Sequence, residues 1–522
     1  MDKNFYVTSP IYYVNDVPHI GHAYTSIACD VISRFRRLEE INVRFLTGTD
    51  EHGQKVEKSA IAKGLNPQEF CDIVSKKFQD LTRILDLSND DFIRTTQERH
   101  RKSAQAFFEK ILNRGYIYKD VYEGWYCVRD EAFYSEDELI NGKAPTGAEV
   151  SWHKEESYFF KLSAFQEKLL ALYEAVPDFV RPSSKMNEVI SFVKSGLKDL
   201  SISRTSFKWG IKINNDQSNQ HIMYVWLDAL TNYISALGFP NQEDQLYKDF
   251  WCNTFKSPLH IVGKDILRFH AVYWPAFLMA ADLEIPHTIF AHGWWTNEGE
   301  KISKSLGNVI DPIKELDWLK EFGCDDQTAT DYLKFFLLRE VPFGNDGDYS
   351  RENLINRVNS ELANNVGNLI QRSLSMLYKN NNGEIVDISN YNDGQILIKK
   401  GYDLKDILIN KMNNFAYDQA LFEIISFSSL CNQFINDKAP WGMKKQGNII
   451  EMNQVLSTIS ECIRIIAISL KAFLPKLSEK ISETLNIDSK SLLIKNIDHN
   501  YQIASKHIIK EPRIIFPRLE KK

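Results

Sequence analysis

Two short clusters in the chain carry residue types suited to holding phosphate. The first is Pro18-His19-Ile20-Gly21-His22, directly after a β-branched and aromatic run. His19 and His22, three positions apart, fall on one face of a nascent helix, and Gly21 between them lets a flat ligand come close to the backbone. The helix N-terminus adds N–H donors and partial positive charge, which favours a phosphate seat. The second cluster is Lys301-Ile302-Ser303-Lys304-Ser305. Its two ammonium groups, three residues apart with hydroxyls interleaved, suit a polyphosphate and can neutralise charge that develops during phosphoryl displacement. Alone, each cluster reads as surface residues; together in one chain they point to nucleotide chemistry. No G-x-x-x-x-G-K-[ST] and no G-x-G-x-x-G occurs, so P-loop and dinucleotide-binding readings lose their main support.

The elements around these clusters indicate how they are carried. Phe5 to Val14 reads as a buried strand, a helical pattern runs from about His19 to Glu40, and Val43 to Gly48 reads as a second strand ending in the polar cluster Thr49-Asp50-Glu51-His52-Gly53. Helical patterns then extend to about Arg114. This β–α–β opening predicts a parallel sheet with its site at the strand carboxyl ends. Residues 115–220 change character, with Tyr- and Trp-rich short strands between charged loops, as in an insertion. Strand–helix alternation resumes at 221–226, 259–263 and 288–292. Beyond about Asp348, Ile, Leu and Phe recur at helical spacing through 352–378, 404–436 and 450–485, and 379–383 reads as a loop. The expected architecture is α/β: a Rossmann-like parallel-sheet domain (1–114 and 221–292) split by a connective insertion (115–220), a region bearing the Lys301 loop (293–348), and an α-helical bundle (349–522).

These clusters resemble the two signature motifs of the class I aminoacyl-tRNA synthetases, His-Ile-Gly-His and Lys-Met-Ser-Lys-Ser, with Ile302 in place of the methionine. Further segments resemble the methionyl branch of that class: Pro10-Ile-Tyr-Tyr-Val-Asn15, Thr47-Gly-Thr-Asp-Glu-His-Gly53, Tyr224-Val-Trp-Leu-Asp-Ala229, Gly263-Lys-Asp-Ile-Leu-Arg-Phe-His270 and Ala439-Pro-Trp441. The resemblance spans nearly the whole chain. It implies activation of methionine by ATP with Mg²⁺, then transfer to the terminal adenosine of elongator and initiator tRNA(Met). Attack of a carboxylate on the α-phosphorus needs no general base, since a carboxylic acid of pKa about 3.5 is already ionised at pH 7. What remains is positioning and charge stabilisation. By resemblance, ATP is contacted by His19, Gly21, His22, Lys301, Ser303, Lys304 and Ser305, with His19, His22, Lys301 and Lys304 as the catalytic set.

The resemblance also implies a methionine pocket of Ile11, Tyr13, Asp50, Val225, Trp226, Ala229, Tyr233, Phe269 and His270. Asp50 can pair with the substrate ammonium, Tyr13 and His270 can donate to a thioether sulfur, and aromatic rings can pack the soft side chain. Leu230 stands where better-known bacterial relatives have proline. The insertion is too short for the large editing domain of the isoleucyl, valyl and leucyl relatives. Many members hold a Cys-x-x-Cys zinc knuckle here; this chain reads Cys127-Val-Arg-Asp130, and Cys127 with Asp130 and a distant His153 does not supply four zinc ligands. No structural zinc is expected, and Cys127 is expected to be a buried structural residue. In the helical region Asn368, Arg372 and Trp441 match positions that read the anticodon CAU, by base-edge hydrogen bonds and stacking.

Composition agrees with this class. The 522 residues exceed one core and suggest roughly three or four domains. Net charge is −6, yet residues 341–522 hold 23 Lys/Arg against 20 Asp/Glu, which permits a polyanionic partner. Seven scattered cysteines, no long apolar run and no basic or Arg- and Ser-rich leader point to a cytoplasmic protein without a membrane span. The absence of a further tRNA-binding domain after Leu519 favours a monomer. Two rival readings are a small-metabolite adenylyltransferase, for which the helical tail has no use, and a non-catalytic tRNA-binding paralogue, for which His19, His22, Lys301 and Lys304 have none.

Overall fold

The computed structural model describes residues 4–520 except 16, 130, 131, 135, 215, 217–219, 253, 255 and 302–307, with backbone only at 122, 132, 133, 153, 300 and 301. The chain forms two compact units. One comprises Met1–Pro18, Asn42–Arg83 and Leu87–His292, and the other His19–Ile41, Ile84–Asp86 and Gly293–Lys522.

The first unit is built on a parallel six-stranded sheet. Strands β1 (Asn4–Tyr13), β2 (Asn42–Asp50) and β3 (Asp91–Arg94) form one half in the order β3-β2-β1, and Leu259–Gly263, Thr288–His292 and Val180–Arg181 continue it beyond β1. Tyr6, Val7, Phe45, Leu46, Ile261, Val262 and Ile289 are fully buried, as expected for strands covered on both faces. Strand order reverses between β1 and Leu259–Gly263, and such switch points open a crevice at the strand carboxyl ends. Tyr13 and Asp50 are register partners at the ends of β1 and β2.

Several elements differ from the sequence reading. Strand β3 lies in a stretch expected to be helical; four residues are too few to reveal a period. Of 221–226 only Ile222–Met223 is extended, paired antiparallel with Ser203–Arg204 and outside the parallel sheet; the helix Val225–Leu230 begins at once. An apolar run buried all round does not distinguish strand from helix. Residues 115–220 hold an antiparallel sheet of Ala132–Tyr134, Ile117–Cys127, Ser151–Phe160 and Leu200–Ser201 with the helices Gln166–Ala175 and Ser183–Lys194. Val180–Arg181 within this stretch joins the parallel sheet beside Thr288–His292.

The second unit contains helix α1 (Ile20–Leu38), the hairpin Trp295–Asn297/Glu300–Lys301 and a helical bundle. Ile449–Leu470 is the bundle's central helix, with every residue from Val455 to Leu470 buried. It packs against Asn368–Asn381, Asn392–Asn413 and Tyr417–Lys438. Helix Asn368–Asn381 takes in part of the expected loop 379–383 and ends on the left-handed Asn382. The pattern at 404–436 is two helices, interrupted where Phe415 adopts a positive φ.

Gly48 is set by packing: an added Cβ would lie 2.0 Å from the carbonyl oxygen of Ile93 on β3. Gly48→Ala should therefore force β2 and β3 apart and cost about 1–3 kcal/mol, read as a lower urea midpoint. An unchanged midpoint would show that β3 yields without cost.

Candidate active site

The pocket residues expected from the sequence all belong to the first unit, and most meet in one aromatic cluster. Val225, Ala229, Tyr233 and His270 are buried, while Ile11, Tyr13, Trp226 and Phe269 pack partly exposed against the same core. Trp226 and Phe269 stack with ring centroids 3.7 Å apart and planes 6° from parallel, and His270 meets Trp226 edge-on at 6.1 Å. The Lys55 ammonium lies 5.2 Å from the Tyr13 ring centroid. Asp50 is buried at the end of β2.

His270 differs from its expected role. Its Nδ1 faces the carbonyl of Ile266 at 2.9 Å, so Nδ1 carries the proton, and its Nε2 accepts from the Tyr233 hydroxyl at 2.7 Å. Burial pulls its pKa down to about 4, so the ring is neutral near pH 7. Both nitrogens are committed within the protein, and the donor expected for a thioether sulfur is already used. The ring instead fixes Tyr233. Tyr233 is held further by His260, whose ring stacks on it at 4.1 Å. His260 accepts from Trp274 Nε1 at 3.3 Å and donates to Thr8 at 2.8 Å.

The sequence reading assigned no role to the residues that clamp Asp50 into place. Glu51 is fully buried; its carboxylate receives Nε and Nη2 of Arg94 at 2.6 and 3.0 Å and the hydroxyls of Thr49 and Thr96. Its carbonyl accepts from Trp209 Nε1 at 2.5 Å. His52 bonds through Nδ1 to Asp228 Oδ2 at 2.7 Å, and His100 Nε2 bonds to Asp228 Oδ1 at 2.7 Å. Burial alone would raise the Asp228 carboxyl; His52 and His100 overcome it and bring it down to about 2. Glu51, His52 and Asp228 lie inside the motif segments quoted above, so their presence there was the signal. Arg94, His100 and His260 gave none.

The phosphate-binding candidates belong to the second unit. His19 is the N-cap of α1, and its Nδ1 accepts from the Gly21 amide at 3.1 Å, while His22 Nδ1 accepts from the His19 amide at 3.1 Å. The rings stack at 3.7 Å. With both Nδ1 atoms accepting, the neutral rings carry their protons on Nε2, the atoms suited to donate to phosphate. A Cβ on Gly21 would lie 3.0 Å from His19 Cε1, so the glycine makes room for this ring as well as for a ligand. Of the second cluster, Ser303, Lys304 and Ser305 lie outside the described residues, as does Ile302, and only the backbone of Lys301 is described. Both flanks of the loop are placed. Lys301 pairs with Thr296, Asn308 accepts from Asn297 Nδ2 at 3.1 Å, and Ile310 accepts from the Ile20 amide in the first turn of α1 at 2.9 Å.

In the bundle, Asn368 is exposed and Arg372 follows one turn later on the same helix. The Arg372 guanidinium lies 5.2 Å from the ring centroid of Trp441, itself 43% exposed, and donates to Asn436 at 3.0 Å. Leu230 is buried in the first unit's core. Cys127 is fully buried with Ala144 and Ala148. Among the described residues no group of three or more His, Cys, Asp or Glu is arranged to hold a metal; Asp130 lies outside them, and the His153 side chain is not described. Among them, too, no helix is long and apolar enough to cross a membrane.

The parallel sheet of one unit, and the capped His-x-x-His and placed loop flanks of the other, accompany a family match that puts the chain among the class I tRNA synthetases. Residues 5–151 and 137–374 match the family described as tRNA synthetases class I (M). The chain is 53% identical to the methionine–tRNA ligase of Rickettsia bellii, covering 100% of both proteins, and 45% identical to that of Rhizobium meliloti, covering 98% of each. The Mycobacterium tuberculosis methionyl-tRNA synthetase in complex with methionyl-adenylate superimposes with a TM-score of 0.93 at 41% identity, over 99% of this chain and 100% of that one. The chain belongs to the methionine–tRNA ligase family.

Burial holds His260, like His270, below the usual imidazole range, and such histidines make stability depend on pH. A histidine held neutral in the fold takes up a proton on unfolding, so its stabilisation is full above about pH 6.5 and is lost as pH falls toward 4. Stability should fall by up to about 1.4 kcal/mol per pH unit per group across that window, and His270→Gln should flatten the slope in urea titrations at stepped pH. An undiminished slope would place the effect elsewhere.

Proposed function

We propose that this chain activates L-methionine with ATP, giving enzyme-bound methionyl-adenylate and pyrophosphate, and then esterifies the 3′-terminal adenosine of elongator and initiator tRNA(Met). The observation that carries the reading is the reciprocal capping of His19 and His22, in which both Nδ1 atoms accept from backbone amides, so that the neutral rings carry their protons on Nε2 at the start of α1. In this reading those donors and the Gly21 backbone hold the triphosphate. Lys304, aided by Lys301, stabilises negative charge on the pentavalent α-phosphorus and leaving pyrophosphate, and Ser303 and Ser305 add hydroxyl donors. Mg²⁺, when bound with ATP, neutralises part of the triphosphate charge.

Asp50 pairs with the methionine ammonium and fixes the carboxylate for in-line attack on the α-phosphorus. Trp226, Phe269, Tyr233, Ile11, Val225 and Ala229 surround the thioether, and Tyr13 offers its hydroxyl. His270 acts through Tyr233. The second step breaks the acyl–phosphate bond: an oxygen of the terminal ribose attacks the methionyl carbonyl, AMP leaves, and the ribose proton departs with the phosphate.

Arg372 and Trp441 together form a plane and an edge for a nucleobase, with Asn368 one turn away, which supports recognition of the anticodon by this face. We further read the protein as a cytoplasmic monomer; a sedimentation mass near twice 60.5 kDa would reject the second point.

Arg372→Ala and Trp441→Ala are each expected to lower kcat/KM for tRNA(Met) transcripts by about tenfold or more, the scale of one lost stacking or base-edge contact. Methionine-dependent pyrophosphate–ATP exchange should stay at the wild-type rate. Equal loss of both activities would mean that these residues support the fold rather than tRNA.

A further inference from the structure

Asp228 makes none of the substrate contacts assigned above, yet it is fully buried and both of its oxygens are engaged. The chain of bonds continues past it: His100 Nδ1 and the Asn232 carbonyl both lie within hydrogen-bond distance of Ser235 Oγ, at 2.9 and 3.1 Å. One end of this chain is the helix Glu98–Asn113, which carries His100; the other is His52, two residues beyond Asp50. Asp228 itself lies on the helix Val225–Leu230, between Trp226 and Ala229. Leaving either imidazole without its partner exposes a buried charge or donor with no water to replace the bond. The carboxylate thus acts as a rigid spacer between the backbone that presents Asp50 and the turn that presents Trp226 and Ala229.

We propose that Asp228 is a positioning residue for the amino-acid substrate, setting the separation between the ammonium-binding end of β2 and the aromatic wall of the pocket. This rests on the reading of Asp50, Trp226 and Ala229 as the methionine site. The consequence is selective: loss of the spacer weakens methionine binding and leaves ATP binding in place, whereas a general loosening of the fold affects both.

The test is pyrophosphate–ATP exchange on the full chain with methionine and ATP varied separately, alongside thermal melts. Asp228→Asn should raise KM for methionine by about tenfold, the effect of about 1.4 kcal/mol, with KM for ATP within about twofold of wild type. Ser235→Ala, which removes only the outer support of His100, should act in the same direction and less. Tyr118→Phe loses a 2.8 Å bond to Asp199 in the same unit and should lower the melting temperature alone. Parallel rises in both KM values, or a lower melting temperature with KM for methionine unchanged, overturn the proposal; if Asp228→Asn does not fold, Ser235→Ala decides by the same criterion. Asp50→Asn is measured beside them: if its KM for methionine is unchanged, the pocket reading fails and the proposal with it, and if only Asp50→Asn raises that KM, the spacer alone fails.

Discussion

Parallel pairing brings every strand's carboxyl end to the same edge of the sheet. That constraint organises the catalytic half of the chain. With β1 held between β2 and Leu259–Gly263, Tyr13, Asp50 and the segment beginning at Gly263 arrive at one edge from widely separated parts of the sequence. The reversal of strand order beside β1 keeps the crossover connections on either side from covering the crevice between them. The pocket residues from 225–233 and 269–270 then need only short helices to reach the same cluster.

Within that frame, precision comes from buried polar groups that do no chemistry themselves. Asp50-Glu51-His52 shows a division of labour: Asp50 is the residue proposed to meet the substrate ammonium, while Glu51 is gripped by Arg94 and His52 by Asp228. Glu51, His52 and Asp228 are all buried, where a missing partner costs a buried charge its hydration. The histidines of α1 follow a similar logic. Their Nδ1 atoms satisfy backbone amides at the helix start, which otherwise lack partners, and the same bonds place the protons of the neutral rings on Nε2.

The candidate residues could be picked out because their types and order suit the chemistry proposed for them. His19, His22, Asp50, Trp226 and Trp441 were named on that ground, and the parallel sheet and the helical bundle were legible in the periodicity of the sequence. The supports were not. Asp228 is 176 positions from His52 and 128 from His100, and no local pattern links residues so far apart. His270 was expected to donate to a thioether sulfur, whereas its Nε2 accepts from Tyr233, and its bond to a carbonyl four residues earlier exists only once the helix around it forms. Strand β3, the strand Val180–Arg181 and the helix beginning at Val225 were missed because short or uniformly apolar runs carry no usable period.

Pyrophosphate–ATP exchange with the twenty amino acids offered one at a time, in the presence of Mg²⁺ and without tRNA, tests the account most directly. It predicts exchange with methionine alone, abolished by Lys304→Ala. Exchange supported by a different amino acid would retain the nucleotide chemistry and contradict the pocket; folded protein giving no exchange with any of them would contradict the assignment of His19, His22 and Lys304 to ATP.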